Sequence, residues 1–184
     1  MDELEGSKVK KPFKWMNLFI YIAVVILAAL LLNRFVLQKV EVDGSSMQET
    51  LHTDDQLFVE KVSYYFHDPR VYDVIVFRPF EKNQDTYYIK RVVGVPGDYI
   101  QIKDGKVFRN KEPLDDPQGE EYLYEAGIVK EEIKLGEDEY FVLGDNRYQS
   151  TDSRDSSIGF VKRKSIIGKA FFRVWPINTI GIID

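Results

Sequence analysis

The rhythm of hydrophobic and polar positions changes once along this chain. From Trp15 to Leu32 every residue but Asn17 is apolar, with no face kept for polar side chains, and Asn33-Arg34 closes the run. That length meets the lower limit for a helix crossing a bilayer, about 17 to 25 residues. Beyond it the pattern becomes short and alternating, over residues 39–42, 56–60, 73–78, 86–95, 99–103, 106–109, 139–143 and 169–175, with Gly, Pro and Asp between the segments. Such spacing predicts a mainly β domain built on an antiparallel sheet. In "YIQIKDGKVFRN", Asp104-Gly105 sits between two alternating runs and predicts a type I′ hairpin. Between Lys111 and Leu135 the pattern gives way to charged, irregular sequence with two prolines, which reads as a solvated insertion.

The organisation expected is therefore a basic cytoplasmic segment over residues 1–14, a single transmembrane anchor over 15–34, and an extracytoplasmic β-rich domain over 35–184 with an insertion at about 111–135. A cleaved secretory signal shares the basic start but has a shorter apolar core, about 7 to 15 residues, and a small-x-small cleavage site. Here Ala28-Ala29 runs on into Leu30-Leu31-Leu32, which favours an uncleaved anchor. Lys8, Lys10, Lys11 and Lys14 precede the run and only Arg34 and Lys39 follow it closely, so the N-terminus is expected in the cytoplasm and the domain on the outer face of the cell membrane. Exposed aromatic residues of the domain are expected to dip into the lipid bilayer, although nothing in the pattern selects them.

Composition narrows the chemistry. The formal net charge is -5, which disfavours a nucleic-acid partner, since phosphate binding needs a basic face. There are no cysteines and only two histidines, His52 and His67, so disulfides, thiol nucleophiles and structural zinc are set aside and no metal or cofactor is expected.

"GSSMQETL", Gly44 to Leu51, places Ser45 and Ser46 beside a methionine with no base immediately upstream. A serine attacks only when a neighbour removes its proton. His52 is close in sequence, which is no evidence of contact. A lysine serves if burial lowers its pKa by stripping hydration from the ammonium. In "DTYYIKRVVGVPGD", strand alternation puts Lys90 on one face with Tyr88, Val92 and Gly94, an apolar flank able to desolvate its amine. The plain alternative is a solvated lysine on an edge strand. "VLGDNRYQSTDSRDSSIGFV", Val142 to Val161, supplies two polar sets, Gly144-Asp145-Asn146-Arg147 and Ser150-x-Asp152-Ser153-Arg154, able to support a buried amine, although turn residues of a plain loop read the same way.

Taken in order after an apolar anchor, "VDGSSMQETL", "YDVIVFR", "YYIKRVVGVPGD", "VLGDNRYQSTDSRDSSIGFV" and "FFRVWPINTIG" resemble bacterial type I signal peptidase, a membrane-anchored serine protease family that removes signal peptides from exported pre-proteins. The resemblance implies Ser46 as nucleophile and Lys90 as general base, with Ser150 hydrogen-bonded to the lysine amine. It implies Asp152 and Arg154 as the pair fixing the loop, and Gly144, Asp145, Asn146 and Arg147 as its supporting turn. Val42, Met47, Tyr88 and Ile89 match pockets for small side chains, as in cleavage after Ala-x-Ala. Two positions depart from the family: Gly44, where some members have a serine that helps bind the oxyanion, and Glu49, where proline is usual. Three rivals stay open: a non-catalytic membrane-anchored β domain for adhesion or assembly, a weakly active signal peptidase paralogue, to which Glu49 points, and a hydrolase using His52 as base.

Overall fold

The computed structural model describes residues 15–80, 86–115 and 125–183, with the side chains of its first helix as far as Leu31. The expected basic segment 1–14 and the middle of the expected insertion lie outside the described residues. In chain order the elements are α1 (Trp15–Phe35), β1 (Leu37–Glu41), β2 (Gln56–Glu60), α2 (Ser63–Phe66), β3 (Val74–Phe77), β4 (Tyr88–Gly94), β5 (Tyr99–Lys103), β6 (Lys106–Arg109), β7 (Glu112–Pro113), β8 (Ile133–Lys134), β9 (Glu139–Leu143), β10 (Val161–Lys162), β11 (Ile166–Trp175) and β12 (Gly181–Ile182). Every strand pairing is antiparallel.

Two sheets carry the domain. The larger runs β1-β2-β11-β3-β4-β9-β10, with β12 on β11, and the smaller runs β7-β6-β5-β8. The smaller is nucleated by the expected hairpin: Lys103 pairs with Lys106, and Asp104 and Gly105 have φ of 49° and 72°, the positive values a type I′ turn requires. The stretch read as a solvated insertion is partly structural. Its β7 and β8 complete the small sheet, and Val129 and Leu135 are buried against Ile100, Val107 and Phe141. A few apolar residues spaced irregularly among charges give no period, so the pattern concealed them.

β4 lies inside the larger sheet and is buried from Ile89 to Gly94. Its side chains enter three apolar clusters: Ile89 packs with Val42, Met47 and Leu51, Val92 with Tyr140 and Val142, and Val93 with Ile100 and Phe141. A strand covered on both faces reads as a nearly continuous apolar run. Lys90 and Arg91 interrupt that run, so the fold has to account for two buried cations.

α1 stands apart from these clusters. Its described side chains are exposed and, Asn17 aside, apolar on all sides. Among the described residues no helix is long and apolar enough to cross a membrane. β1 follows it almost at once as the terminal strand of the larger sheet, pairing throughout with β2.

β11 and β2 leave no room for a side chain at Gly168, where a Cβ would stand 2.2 Å from the carbonyl oxygen of Glu60. Backbone cannot give way as a flexible side chain would. Gly168→Ala should therefore destabilise the domain by about 2–4 kcal/mol, read as a lower urea midpoint in detergent; an unchanged midpoint would contradict this packing.

Candidate functional site

The turn carrying Ser46 is held from below by its own apolar residues. Met47 and Leu51 are fully buried beside Leu57, Val59 and Val76, which leaves Ser45 and Ser46 at the top of the turn. Thr50 clamps its far end. Its hydroxyl donates to Asp145 at 2.5 Å, and its carbonyl accepts from Arg173 at 3.0 Å, while Arg173 also pairs with Asp55 at 2.9 Å. From the other side the Asn146 N–H donates to the Ser46 carbonyl at 3.1 Å.

Lys90 reaches this turn from β4. Its Nζ lies 2.7 Å from Ser46 Oγ and 3.1 Å from the Ile89 carbonyl, although 44 residues separate lysine from serine. The residue is 3% exposed, and the Tyr88 ring centroid is 5.2 Å from the amine. Burial pushes the Lys90 amine down to about 8, against an opposing pull from the Asp152 and Asp145 carboxylates. When the amine is charged it donates to Ser46. Once neutral it has a lone pair, and the same contact can run from hydroxyl to nitrogen.

The loop after β9 supplies the surroundings. Asp152 accepts from the Gly144 N–H at 3.1 Å and is gripped by Arg154 through both oxygens, at 2.8 and 2.9 Å. Asp145 is gripped in the same way by Arg91, at 2.9 and 2.8 Å, with side chains 2% and 0% exposed. Gly144 has no space for a side chain: a Cβ would stand 2.2 Å from Ser150 Oγ and 2.3 Å from the Ser46 carbonyl. Arg147 is buried as well, at 3% exposure.

Ser150 departs from expectation. The amine of Lys90 bonds Ser46 and the Ile89 carbonyl, and the Ser150 hydroxyl is buried with no hydrogen-bond partner among the described residues. Its contact with Gly144 brings it close to the Ser46 carbonyl, within the same group but off the amine.

Val42, Met47, Tyr88 and Ile89 are brought together. With Ser46 and Lys90 they line one cleft of about 530 Å³, whose polar wall includes Gln149 and Thr151. His52 is exposed, and its backbone N–H caps Asp55 at 3.0 Å. Among the described residues no cluster of His, Asp and Glu could hold a metal ion.

Arg91, Thr50 and Arg173 were not singled out from the sequence. A signal existed for Arg91, because an arginine within an apolar central strand needs a buried carboxylate, and Asp145 is that partner. Thr50 and Arg173 gave none, since their partners, Asp145 for Thr50 and Asp55 for Arg173, lie far away in sequence.

Glu49 is the other departure. The Thr50 N–H donates to the Met47 carbonyl at 3.1 Å, and Glu49 has a φ of 83°. A positive φ at the third position of such a turn favours glycine, and proline, locked near −65°, cannot adopt it. Glu49→Gly should raise stability by about 1 kcal/mol with little change in activity. Glu49→Pro should force the turn to rearrange and lower both, as thermal unfolding and turnover would register.

Known proteins match this chain over most of its length. The family model described as "Signal peptidase, peptidase S26" matches residues 14–175. The probable signal peptidase I-2 of Synechocystis sp. is 36% identical over 178 residues, covering 92% of this chain and 77% of that protein. The signal peptidase I of Bacillus licheniformis is 35% identical over 190 residues, covering 100% of this chain and 99% of that one. A solved signal peptidase I from Enterococcus faecalis V583 is 29% identical, covers 56% of this chain and 97% of that chain, and gives a TM-score of 0.46. With a family match across nearly the whole sequence and relatives aligned over most of their own length, this chain belongs to the signal peptidase family, peptidase S26.

Proposed function

We propose that this chain is a membrane-anchored serine endopeptidase that removes signal peptides from exported pre-proteins, using Ser46 and Lys90. The observation that carries the reading is the buried Lys90 amine, 2.7 Å from Ser46 Oγ at the wall of an open cleft. An adhesion module has no use for a desolvated lysine against a serine, and desolvation costs stability.

The chemistry is acyl transfer. Ser46 Oγ attacks the scissile carbonyl carbon while its proton passes to neutral Lys90 Nζ. The oxygen of that carbonyl takes up the negative charge, facing the Ser46 backbone N–H as donor. The tetrahedral intermediate collapses with cleavage of the C–N bond, and the Lys90 ammonium protonates the departing amine, which is the mature N-terminus. Water then adds to the ester, its proton again taken by Lys90; the C–Oγ bond breaks as Lys90 returns that proton to Ser46 Oγ, and the signal peptide leaves as a carboxylic acid that ionises in water. Asp152, Arg154, Gly144, Asp145, Asn146 and Arg147 are positioning residues in this scheme, and Ser150 lies behind the turn.

Substrate would lie extended along the free edge of β1 and the Asp43–Gly44 backbone, adding a strand as in β-augmentation. Val42, Met47, Tyr88 and Ile89 then bound shallow pockets that admit alanine-sized side chains, consistent with cleavage after Ala-x-Ala.

α1 is the proposed anchor. Its 21 residues give a length of about 31 Å at 1.5 Å per residue, which matches a hydrocarbon core of about 30 Å. Its side chains are described only as far as Leu31, and Leu32 extends the apolar stretch by one more residue. A helix apolar on every side and packed into no core suits lipid. The basic residues before it favour a cytoplasmic N-terminus and a catalytic domain on the outer face.

Ser46→Ala and Lys90→Met should each lower cleavage of a lipid-embedded pre-protein by at least about 10³-fold while circular dichroism stays unchanged. His52→Ala should cleave normally. Full activity in Lys90→Met would overturn the dyad. Because only the neutral amine accepts a proton, kcat/KM should rise with pH through about 8, the value to which burial lowers Lys90, and level off above it.

The same shift affects stability. Between the folded value of about 8 and the ordinary 10.5, the unfolded chain holds a proton that the folded chain has shed, so Lys90 makes the fold more stable as pH rises through that window. Below it the full cost of a buried ammonium remains. Lys90→Met should therefore stabilise the protein at neutral pH, by roughly 2–3 kcal/mol, while abolishing activity. Urea unfolding reads that gain, and a destabilised Lys90→Met would mean that the amine is not held under strain.

A further inference from the structure

The carbonyl oxygen that takes up charge when Ser46 attacks needs hydrogen-bond donors already in place. The Ser46 N–H has no acceptor among the described residues and is free to serve as one. Gly44, two residues earlier in the cleft wall, brings no side chain, and at its φ of 99° a Cβ would meet nothing within 4 Å. Asn146 is fully engaged. Its backbone N–H donates to the Ser46 carbonyl at 3.1 Å, its Nδ2 to Gln48 at 3.4 Å, and its Oδ1 accepts from the Gln149 N–H at 3.1 Å.

Gln149 differs from these. Its exposed side chain stands in the cleft wall with Ser46 and Lys90. Its Oε1 accepts from the Ser45 hydroxyl at 3.4 Å, and the Ser45 carbonyl carbon is bonded to the Ser46 nitrogen. With the oxygen turned to Ser45, the other end of the carboxamide carries two N–H donors that have no partner among the described residues. A contact of 3.4 Å is long for a hydroxyl donor, so the carboxamide is held loosely and can turn toward a substrate. Its root is not loose. Asn146, which holds the Ser46 carbonyl, also holds the Gln149 N–H, so nucleophile and carboxamide share one support.

We infer that Gln149 is a catalytic residue, giving through Nε2 the second hydrogen bond, beside that of the Ser46 N–H, to the oxygen of the scissile carbonyl. This rests on the reading of Ser46 as nucleophile. As the Oγ–C bond forms and the hydroxyl proton passes to Lys90, the π pair of the carbonyl moves onto its oxygen. Gln149 donates a hydrogen bond to that oxygen and keeps its proton. A neutral amide binds the oxygen more tightly as the charge grows, and it adds no net charge beside Lys90.

Gln149→Ala should lower kcat roughly 10²-fold, the low end for one oxyanion donor, with KM nearly unchanged. Gln149→Glu keeps the reach of the side chain but has no N–H to give, and should be at least as slow at every pH. A peptide aldehyde ending in alaninal forms a hemiacetal with Ser46 whose oxygen takes the same place, so its inhibition constant should rise as kcat falls. A fluorescent pre-peptide bound to Ser46→Ala, which is not cleaved, should keep its affinity when Gln149→Ala is added. A structural role would weaken aldehyde and pre-peptide alike, and that result counts against the inference. A normal kcat in Gln149→Ala, or a loss confined to KM, overturns it. Cleavage by Ser46→Ala would bring down the nucleophile reading itself, whereas an inert Ser46→Ala beside a fully active Gln149→Ala overturns the second donor alone.

Discussion

Lowering the proton affinity of an amine beside a hydroxyl, at the wall of a cleft open to water, is the constraint on which the rest of this domain depends. Desolvation alone moves Lys90 in that direction, and two aspartates in the same loop oppose it. Asp152 and Asp145 are both needed to shape the loop, through the Gly144 N–H and the Thr50 hydroxyl respectively. Each is gripped through both oxygens by its own arginine, Arg154 and Arg91. The carboxylates thus do structural work while tied to cations, and both still pull the amine upward against the effect of burial. Left unpaired in so dry a place, either would raise the proton affinity of Lys90 further.

The same logic explains two adjacent cations in a buried strand. Lys90 and Arg91 point to opposite faces of β4. One faces the Ser46 turn with no carboxylate in contact, and the other meets Asp145 in a closed ion pair. Buried ion pairs contribute little net stability, but removing one partner is costly, so their main effect is to fix register. Here the register decides where Ser46 sits, because Asp145 holds Thr50 and Asn146 holds the Ser46 carbonyl. Glu49 at a φ of 83° lies within that clamped turn. Strain of this kind persists only where surrounding contacts over-determine the backbone.

Much of this was legible in the residues. The Asp104-Gly105 hairpin and the antiparallel β architecture follow from local rules, and the alternation of Tyr88, Lys90 and Val92 already sets the lysine on an apolar face. That Lys90 meets Ser46 required the resemblance to a family, since contact across 44 residues has no local signature. Val129 and Leu135 were hidden among charges and prove to be core. Ser150 shows the limit from the other direction: its place in the motif predicts a bond to the amine, but the amine is occupied by Ser46 and Ile89 and the hydroxyl packs on Gly144. Hydrogen-bond partners depend on side-chain geometry at the level of an ångström, which a motif does not encode.

The link between helix and cleft is equally physical. No free linker separates them: α1 ends at Phe35, β1 begins at Leu37 and is paired with β2 along its whole length, and Val42, the next residue, is already buried beneath the cleft. The Val42 N–H and carbonyl are both engaged, by Asp55 and Asp54 at 2.9 Å, so the rigid run continues to the edge of the Ser46 turn. A strand of five residues is about 17 Å long, which limits how far the cleft can stand from the end of the helix. On the reading of α1 as the anchor, a change in its height or tilt reaches the cleft through paired strand. For an enzyme whose proposed substrate is itself held in the bilayer, this short connection ties the position of a helix to the position of the proposed nucleophile.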